Sequence, residues 1–351
     1  MPTQYQNILI IKPSALGDVV HALPAFGALR AAFPKAKITW LIRPEFAPLL
    51  DCVPGLDETL LFDRKKIGRW YTPAGWEALR DFVRQLRQRQ FDLVLDLQGL
   101  FRTALFSKLS GCPVRVGMAN AREGAPLFYT HRVPPPTDSL QMTDRYRTLL
   151  AAIGVTDFSA PGTLLPPAKA AESVSRLLGS AGLVPGRFAV VIPGSAHPSK
   201  CWPVERFSAV AERLTKDYGL PIAAVGTAGE KKVVEALQQV CAVPIADFSG
   251  QTTIPQLVAL LGQAALVVSN DTGPGHIAAA LRTPTVLIFG PTNPNWVAPY
   301  EQPEAVVAIE PDCRGKAIRS RNPAHRIEQV AVPRVLEAIR RRLQQNQGGQ
   351  R

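Results

Sequence analysis

Along this chain, short runs of aliphatic and β-branched residues alternate with stretches in which apolar positions return every three to four residues. The runs Asn7–Lys12, Lys37–Arg43, Glu58–Asp63, Phe91–Leu97 and Val114–Met118 predict strands in the first half. Phe188–Ile192, Ile222–Val225, Ala265–Ser269 and Thr285–Phe289 do the same in the second. Between them the period lengthens to that of a helix. In Leu79–Gln90, for example, Leu79, Phe82, Val83 and Leu86 share one face while Arg80, Arg84, Arg87 and Arg89 fall elsewhere. Helices are also expected near Ser139–Ile153, Val204–Tyr218, Glu230–Val240, Ile254–Gln263 and Pro333–Leu343. Continuous rather than alternating apolar strands mean burial on both faces, which predicts an α/β chain with parallel sheets.

The pattern occurs twice. Between the two copies, Pro and Gly are dense around SAPGTLLPP, as expected of a linker. A chain of 351 residues exceeds what one core comfortably serves, so two doubly wound, Rossmann-like domains facing a cleft are expected. Their bounds are residues 1–165 and 166–332, with residues 333–351 as a final helix and a tail.

Composition narrows the class. A 46% hydrophobic content spread over many short runs excludes a disordered or fibrous chain, and no run is long enough to span a bilayer. The N-terminal MPTQYQNILIIK has no basic leader, so a cytoplasmic protein is expected. Cys52, Cys112, Cys201, Cys241 and Cys313 have neither zinc-site nor disulfide-framework spacing and read as reduced thiols. Lys and Arg exceed Asp and Glu by 40 to 28, a net +12 that favours polyanionic partners. Without an RNP-like string or a basic recognition helix, nucleic acid is the weaker choice among them.

Candidate chemistry sits where strands give way to helices, since ligands of doubly wound sheets lie beyond the strand carboxyl ends. Ser14, Gly17 and Asp18 follow the first strand without a GxGxxG fingerprint, which removes the main support for a dinucleotide oxidoreductase. Asp18 either favours a helix N-terminus electrostatically or serves as a general base, and His21 is either a polar neighbour or core. In the second half, Gly194 and Ser195 form a tight turn, and Lys200 is either a diphosphate ligand or a surface lysine. Glu230 in GTAGEKK suits ribose hydroxyls, though Glu is common in a first helical turn. In SNDTGPGHIAAALRTPTVLIFGP, residues 269–291, Asn270 to Gly273 end a strand and a small-residue helix is expected from His276. Its N–H groups near Thr272 and Gly273 suit a phosphate, while His276 is open between ligand contact and core.

Taken in order, KPSALGDVVHALPA, DLQGLFRTAL, AREGAPLFY, PGSAHPSKCWP, GTAGEKK and NDTGPGHIAAAL with FGPT resemble glycosyltransferase family 9, the ADP-heptose:lipopolysaccharide heptosyltransferases, from about residue 7 to 300. The resemblance implies a GT-B fold, with the acceptor held by the first domain, ADP-heptose by the second and a last helix able to cross back to the first, and an inverting transfer of L-glycero-D-manno-heptose from ADP-heptose to the Kdo of Kdo-lipid A. The 121–133 stretch is most similar to the member that adds the first heptose. Asp18 matches the base. Ser195 and Lys200 match donor phosphate contacts, Glu230 a ribose contact, and Asp271, Thr272, Gly273 and His276 the donor sugar and diphosphate block. Arg122 falls on the acceptor side, with Ser14 and Gly17.

No cofactor or metal is implied. A monomer is expected on the cytoplasmic face of the inner membrane, with Arg64, Lys65, Lys66, Trp70, Tyr71 and the Arg340–Arg342 end touching anionic lipid or a solvated surface instead. Asp312–Arg326 departs from the family in keeping one cysteine. The other readings are a later heptosyltransferase, another nucleotide-sugar GT-B enzyme, and a non-catalytic polyanion binder.

Overall fold

The computed structural model of the chain describes residues 5–160, 162–309 and 322–348. Residues 312–321 of the Asp312–Arg326 segment, including Cys313, and the first four residues of the N-terminal stretch lie outside that set. The chain divides into two compact units, residues 1–163 and 164–351.

Among the described residues, each unit holds one six-stranded sheet in which every pairing is parallel. The first contains β1 (Asn7–Ile11), β2 (Lys37–Ile42), β3 (Glu58–Leu61), β4 (Leu93–Asp96), β5 (Val114–Met118) and β6 (His131–Val133), in the order 3-2-1-4-5-6. The second contains β7 (Ala189–Ile192), β8 (Ile222–Ala224), β9 (Ile245–Asp247), β10 (Leu266–Asn270), β11 (Thr285–Phe289) and β12 (Val306–Ala308). Its order, 12-11-10-7-8-9, repeats the doubly wound pattern of the first. The expected α/β class and paired doubly wound architecture of a GT-B chain are therefore present.

The strand sequences explain this. Ile8–Ile11, Val190–Ile192, Leu266–Val268 and Val286–Phe289 are buried, as apolar runs covered by helices on both faces must be. Each sheet changes winding direction at its centre, between β1 and β4 and between β7 and β10. Register then sets Ile11 beside Asp96, and Ile192 beside Ser269. The turns after these strands are thus neighbours within each unit.

Three edge strands, β6, β9 and β12, lie outside the expected set. Each has three residues and buries only one of them, unlike the equally short β8, which is buried throughout. The helix expected over 79–90 begins earlier, at Pro73, and runs to Gln88. Thr72 caps it by accepting from Gly75 N at 3.1 Å, and a proline in the first turn costs no hydrogen bond. Val332–Gly348 forms the last helix, which inserts Val335 and Ile339 into the core of the second unit. Its basic end is largely engaged by carboxylates: Arg340 and Arg341 meet Glu337, and Arg342 meets Glu304 at 2.7 Å.

Candidate functional site

In the first unit the turn after β1 carries the candidate base. Lys12 continues the strand and is essentially inaccessible, at 1% exposure, whereas Asp18, in the first turn of the helix Leu16–His21, keeps 35%. Lys12 Nζ donates to Asp18 Oδ2 at 3.4 Å, and Ala15 N donates to the same oxygen at 3.4 Å. Burial works against the Asp18 carboxylate, but Lys12, His21 and the Ala15 N–H outweigh it and hold the carboxyl below its ordinary pKa. Burial also works against the Lys12 ammonium, yet Asp18 and Tyr146 keep its pKa raised. Tyr146, from the helix Met142–Ala151, presents its ring 5.8 Å from Lys12 Nζ, and its hydroxyl is pushed up to about 12, chiefly by burial. Ser14 and Gly17 line this turn at intermediate exposure, and His21 is buried behind it.

Beside it, at the end of β4, lies a carboxyl group to which the sequence assigned no role. Asp96 is buried and its Oδ1 accepts from Gln98 N and Gly99 N, both at 3.0 Å. Arg122 is exposed on the turn after β5, and its backbone N donates to Gly99 O at 3.2 Å.

The turns after β7 and β10 converge in the second unit. Asp271 is buried between Lys200 and His276: Lys200 Nζ donates to Oδ2 at 2.6 Å, and His276 Nε2 donates to Oδ1 at 3.0 Å. A carboxylate only accepts, so the His276 hydrogen sits on Nε2. Burial opposes the Asp271 charge, but His276 and Lys200 overcome it and hold the carboxyl far below the usual range.

The small-residue helix starts at Gly273, three residues before the expected His276, because Thr272 is extended and serves as the cap position. Its N-terminus thus falls within the NDTG turn itself. Gly275 lets the helix approach the sheet: a Cβ there would lie 2.5 Å from Leu287 Cδ2 and 2.7 Å from Ser269 Oγ. His276, left open between core and ligand contact, is a buried partner of Asp271.

Asn270 ties the two turns together. Fully buried at the end of β10, it donates from Nδ2 to Pro193 O at 2.8 Å and accepts at Oδ1 from Trp202 N at 3.0 Å. It clamps the 193–202 segment that carries Ser195 and Lys200. A buried Asn closing an apolar strand was the available signal, since such a side chain must find partners. Ser195 Oγ accepts from His197 N at 3.4 Å. Glu230 caps its own turn, accepting from Thr227 N at 2.7 Å and Thr227 Oγ1 at 2.9 Å, so the GTAGEKK carboxylate has a local structural task.

Each unit therefore collects its own residues: Asp18, Ser14, Gly17 and Arg122 in the first, and Ser195, Lys200, Glu230, Asp271, Thr272, Gly273 and His276 in the second. Residues 79–323 match the model of Glycosyltransferase family 9 (heptosyltransferase), more than half of the chain.

The chain belongs to glycosyltransferase family 9.

It is an enzyme of that family, and the non-catalytic polyanion binder falls away. Among similar family 9 proteins is "Lipopolysaccharide core heptosyltransferase OpsX" of Haemophilus influenzae, 26% identical, with 87% of this chain and 84% of that protein covered. "Lipopolysaccharide heptosyltransferase 1" of Escherichia coli K12 is 28% identical, with 86% and 92% covered. A solved family 9 glycosyltransferase from Veillonella parvula superposes with a TM-score of 0.83 over 98% of this chain and 99% of that one, at 22% identity, which speaks to fold. The E. coli heptosyltransferase WaaC solved with ADP-2-deoxy-2-fluoro heptose gives a TM-score of 0.73 at 25% identity, covering 96% and 99%.

Proposed function

We propose that this family 9 enzyme transfers L-glycero-D-manno-heptose from ADP-heptose to the Kdo of Kdo-lipid A in lipopolysaccharide inner-core assembly. The observation that carries the reading is the ionised Asp18 at the carboxyl end of β1, held beside a buried Lys12 in a chain of this family. The ADP-heptose analogue carried by the similar WaaC structure supports the donor. The 121–133 segment, AREGAPLFYTHRV, supports the first-heptose step over later ones.

In this mechanism Asp18 removes the proton of the acceptor hydroxyl as that oxygen attacks the anomeric carbon. The bond to ADP breaks on the opposite face, so configuration inverts. Negative charge grows on the leaving diphosphate, and it is met by Lys200, the Ser195 hydroxyl and the N–H groups at Thr272 and Gly273. Lys200 has three donors, of which Asp271 takes one, so the same ammonium serves both carboxylate and phosphate. Asp271 sets its position. Glu230 contacts the ribose through the carboxylate oxygen capacity its cap leaves over, and Arg122, with Ser14 and Gly17, meets the anionic acceptor. With cationic side chains and helix N–H groups at the diphosphate, we propose that no metal or other cofactor is needed.

Purified protein incubated with ADP-heptose and Kdo-lipid A should release ADP and give a product one heptose heavier by mass spectrometry, with EDTA leaving the rate unchanged. Turnover only on a heptosylated acceptor would assign a later step. Turnover only with another nucleotide sugar would replace the donor, and a rate abolished by EDTA would remove the metal-free reading.

We further propose that the enzyme works at the cytoplasmic face of an anionic membrane. Among the described residues no helix is long and apolar enough to cross one. Trp70, Tyr71 and Trp76 are exposed at 61%, 74% and 58%, beside the short Arg64–Ile67 helix with its Arg64, Lys65 and Lys66. Aromatic rings beside cations suit a lipid headgroup layer, where each cation contributes about 1 kcal/mol. Co-sedimentation with phosphatidylglycerol-rich vesicles should fall on added salt and on joint replacement of Trp70, Tyr71 and Trp76 by Ala. Equal sedimentation of parent and variant would count against this surface.

A further inference from the structure

We infer that Asp96 and Tyr129 form a positioning pair that holds the Arg122 turn against the turn after β4 and so sets how the acceptor is bound; this rests on reading Arg122 as an acceptor contact. Tyr129, which follows the turn after β5, is buried and donates from its hydroxyl to Asp96 Oδ2 at 2.7 Å. The other oxygen of the same carboxylate holds Gln98 N and Gly99 N. One buried carboxylate thus ties the start of one turn to the end of the next, 33 residues apart in sequence. Between these anchors the turns are sewn directly: Arg122 N donates to Gly99 O at 3.2 Å and Phe101 N to Glu123 Oε2 at 3.3 Å.

The sequence makes room for this bond. A Cβ on Gly117, in β5, would lie 2.2 Å from the Tyr129 ring, so the ring fills the space that a side chain would take. Burial raises both carboxyl and phenol pKa values, although the donors around Asp96 favour its ionised form. A carboxylate kept this far from water is expensive for folding alone, where an apolar pair would serve. On the outer side of the same two turns Arg122, Phe101 and Leu127 are exposed, a cation and two apolar side chains, while the Glu123 carboxylate is engaged by the Phe101 N–H. That combination fits an anionic sugar attached to lipid.

Tyr129→Phe tests the pair, because it keeps the ring that fills the Gly117 space and removes only the hydroxyl. The expected result is a roughly three- to tenfold rise in KM for Kdo-lipid A, with kcat at saturating acceptor and KM for ADP-heptose near parental values. Gly99→Ala is a second probe of the same seam, since Gly99 has a φ of +67° and its Cβ would lie 3.2 Å from Ala121 Cβ. It should give the same split between acceptor and donor. A purely structural role would lower the melting temperature and active fraction, and so kcat, while leaving both KM values in place; that outcome overturns the inference.

Arg122→Ala is run beside them. If it raises the acceptor KM while Tyr129→Phe does not, the positioning role fails and the acceptor reading stands. If Arg122→Ala leaves the acceptor KM unchanged, the acceptor reading fails and the inference with it.

Discussion

Asp18→Asn is expected to lower kcat by roughly 10²–10⁴-fold, the usual contribution of a positioned general base, while ADP-heptose affinity, read by calorimetry, stays near the parental value. The donor contacts belong to the other unit, so a defect confined to turnover separates base from binder. An unchanged kcat would remove Asp18 from the mechanism. Asparagine is preferable to alanine because it keeps a polar partner for Lys12, which is buried to 1% exposure and would otherwise be stranded.

The sign of the pH dependence follows from the same pair. Burial alone would raise the Asp18 pKa, but Lys12, His21 and the Ala15 N–H reverse this, so the folded carboxyl titrates below its ordinary value near 4. The base is therefore already ionised across neutral and mildly acidic pH, and its protonation should limit kcat/KM only at strongly acidic pH. Lys12→Met removes the main opposing charge and leaves burial in place. The acid limb of kcat/KM should then move to higher pH, and an unmoved limb would show that Lys12 does not hold the base ionised.

Asp271→Ala should produce the largest loss of stability among the site substitutions, about 3–5 kcal/mol, as expected when one partner of a buried charge cluster is removed. Asp271 and Lys200 are 5% and 16% exposed, and the deletion leaves a cation with little access to water. Donor affinity should fall as well, because Lys200 loses the group that positions it. Chemical denaturation of parent and variant, with ADP-heptose titration on the folded protein, measures both effects. A variant as stable as the parent would mean that the Lys200–Asp271–His276 chain contributes nothing net.

The pH dependence of that stability has a definite direction. Because His276 and Lys200 overcome burial and depress the folded pKa of Asp271, its contribution is fully present above the unfolded value of about 4 and is lost as pH falls towards the folded value. Parent protein should therefore lose stability below about pH 4 more steeply than Asp271→Asn, which has no proton to take up there. Parallel acid limbs would refute the assignment.

Much of this molecule was legible residue by residue. The central strands, the two-fold recurrence of the pattern, and the turns carrying Asp18, Lys200 and the NDTG residues all follow from local sequence. A strand buried on both faces must be apolar along its whole length, and a turn at its carboxyl end must be built from small and polar residues. The edge strands β6, β9 and β12 were not legible, because each buries one residue of three and so lacks the two-sided burial that marks the central strands. Helix starts shifted for a related reason: Pro73, Pro274 and their flanking caps begin helices before the apolar period becomes visible.

The sequence by itself determined which residues stand at the ends of the strands, and hence the chemical types present in each turn. Which of those residues touch was decided only by the tertiary structure. Lys200 and Asp271 are 71 residues apart and meet because β7 pairs with β10. Asp96 lies beside the Asp18 turn because β1 pairs with β4, and it bonds Tyr129 from the turn beyond β5. Lys12 reads like any strand-ending lysine until the helix carrying Tyr146 covers it and its nearest anion becomes Asp18. Periodicity records the burial of one element at a time. The partner of a buried charge depends on sheet order and register, which arise from the packing of segments far apart in the chain.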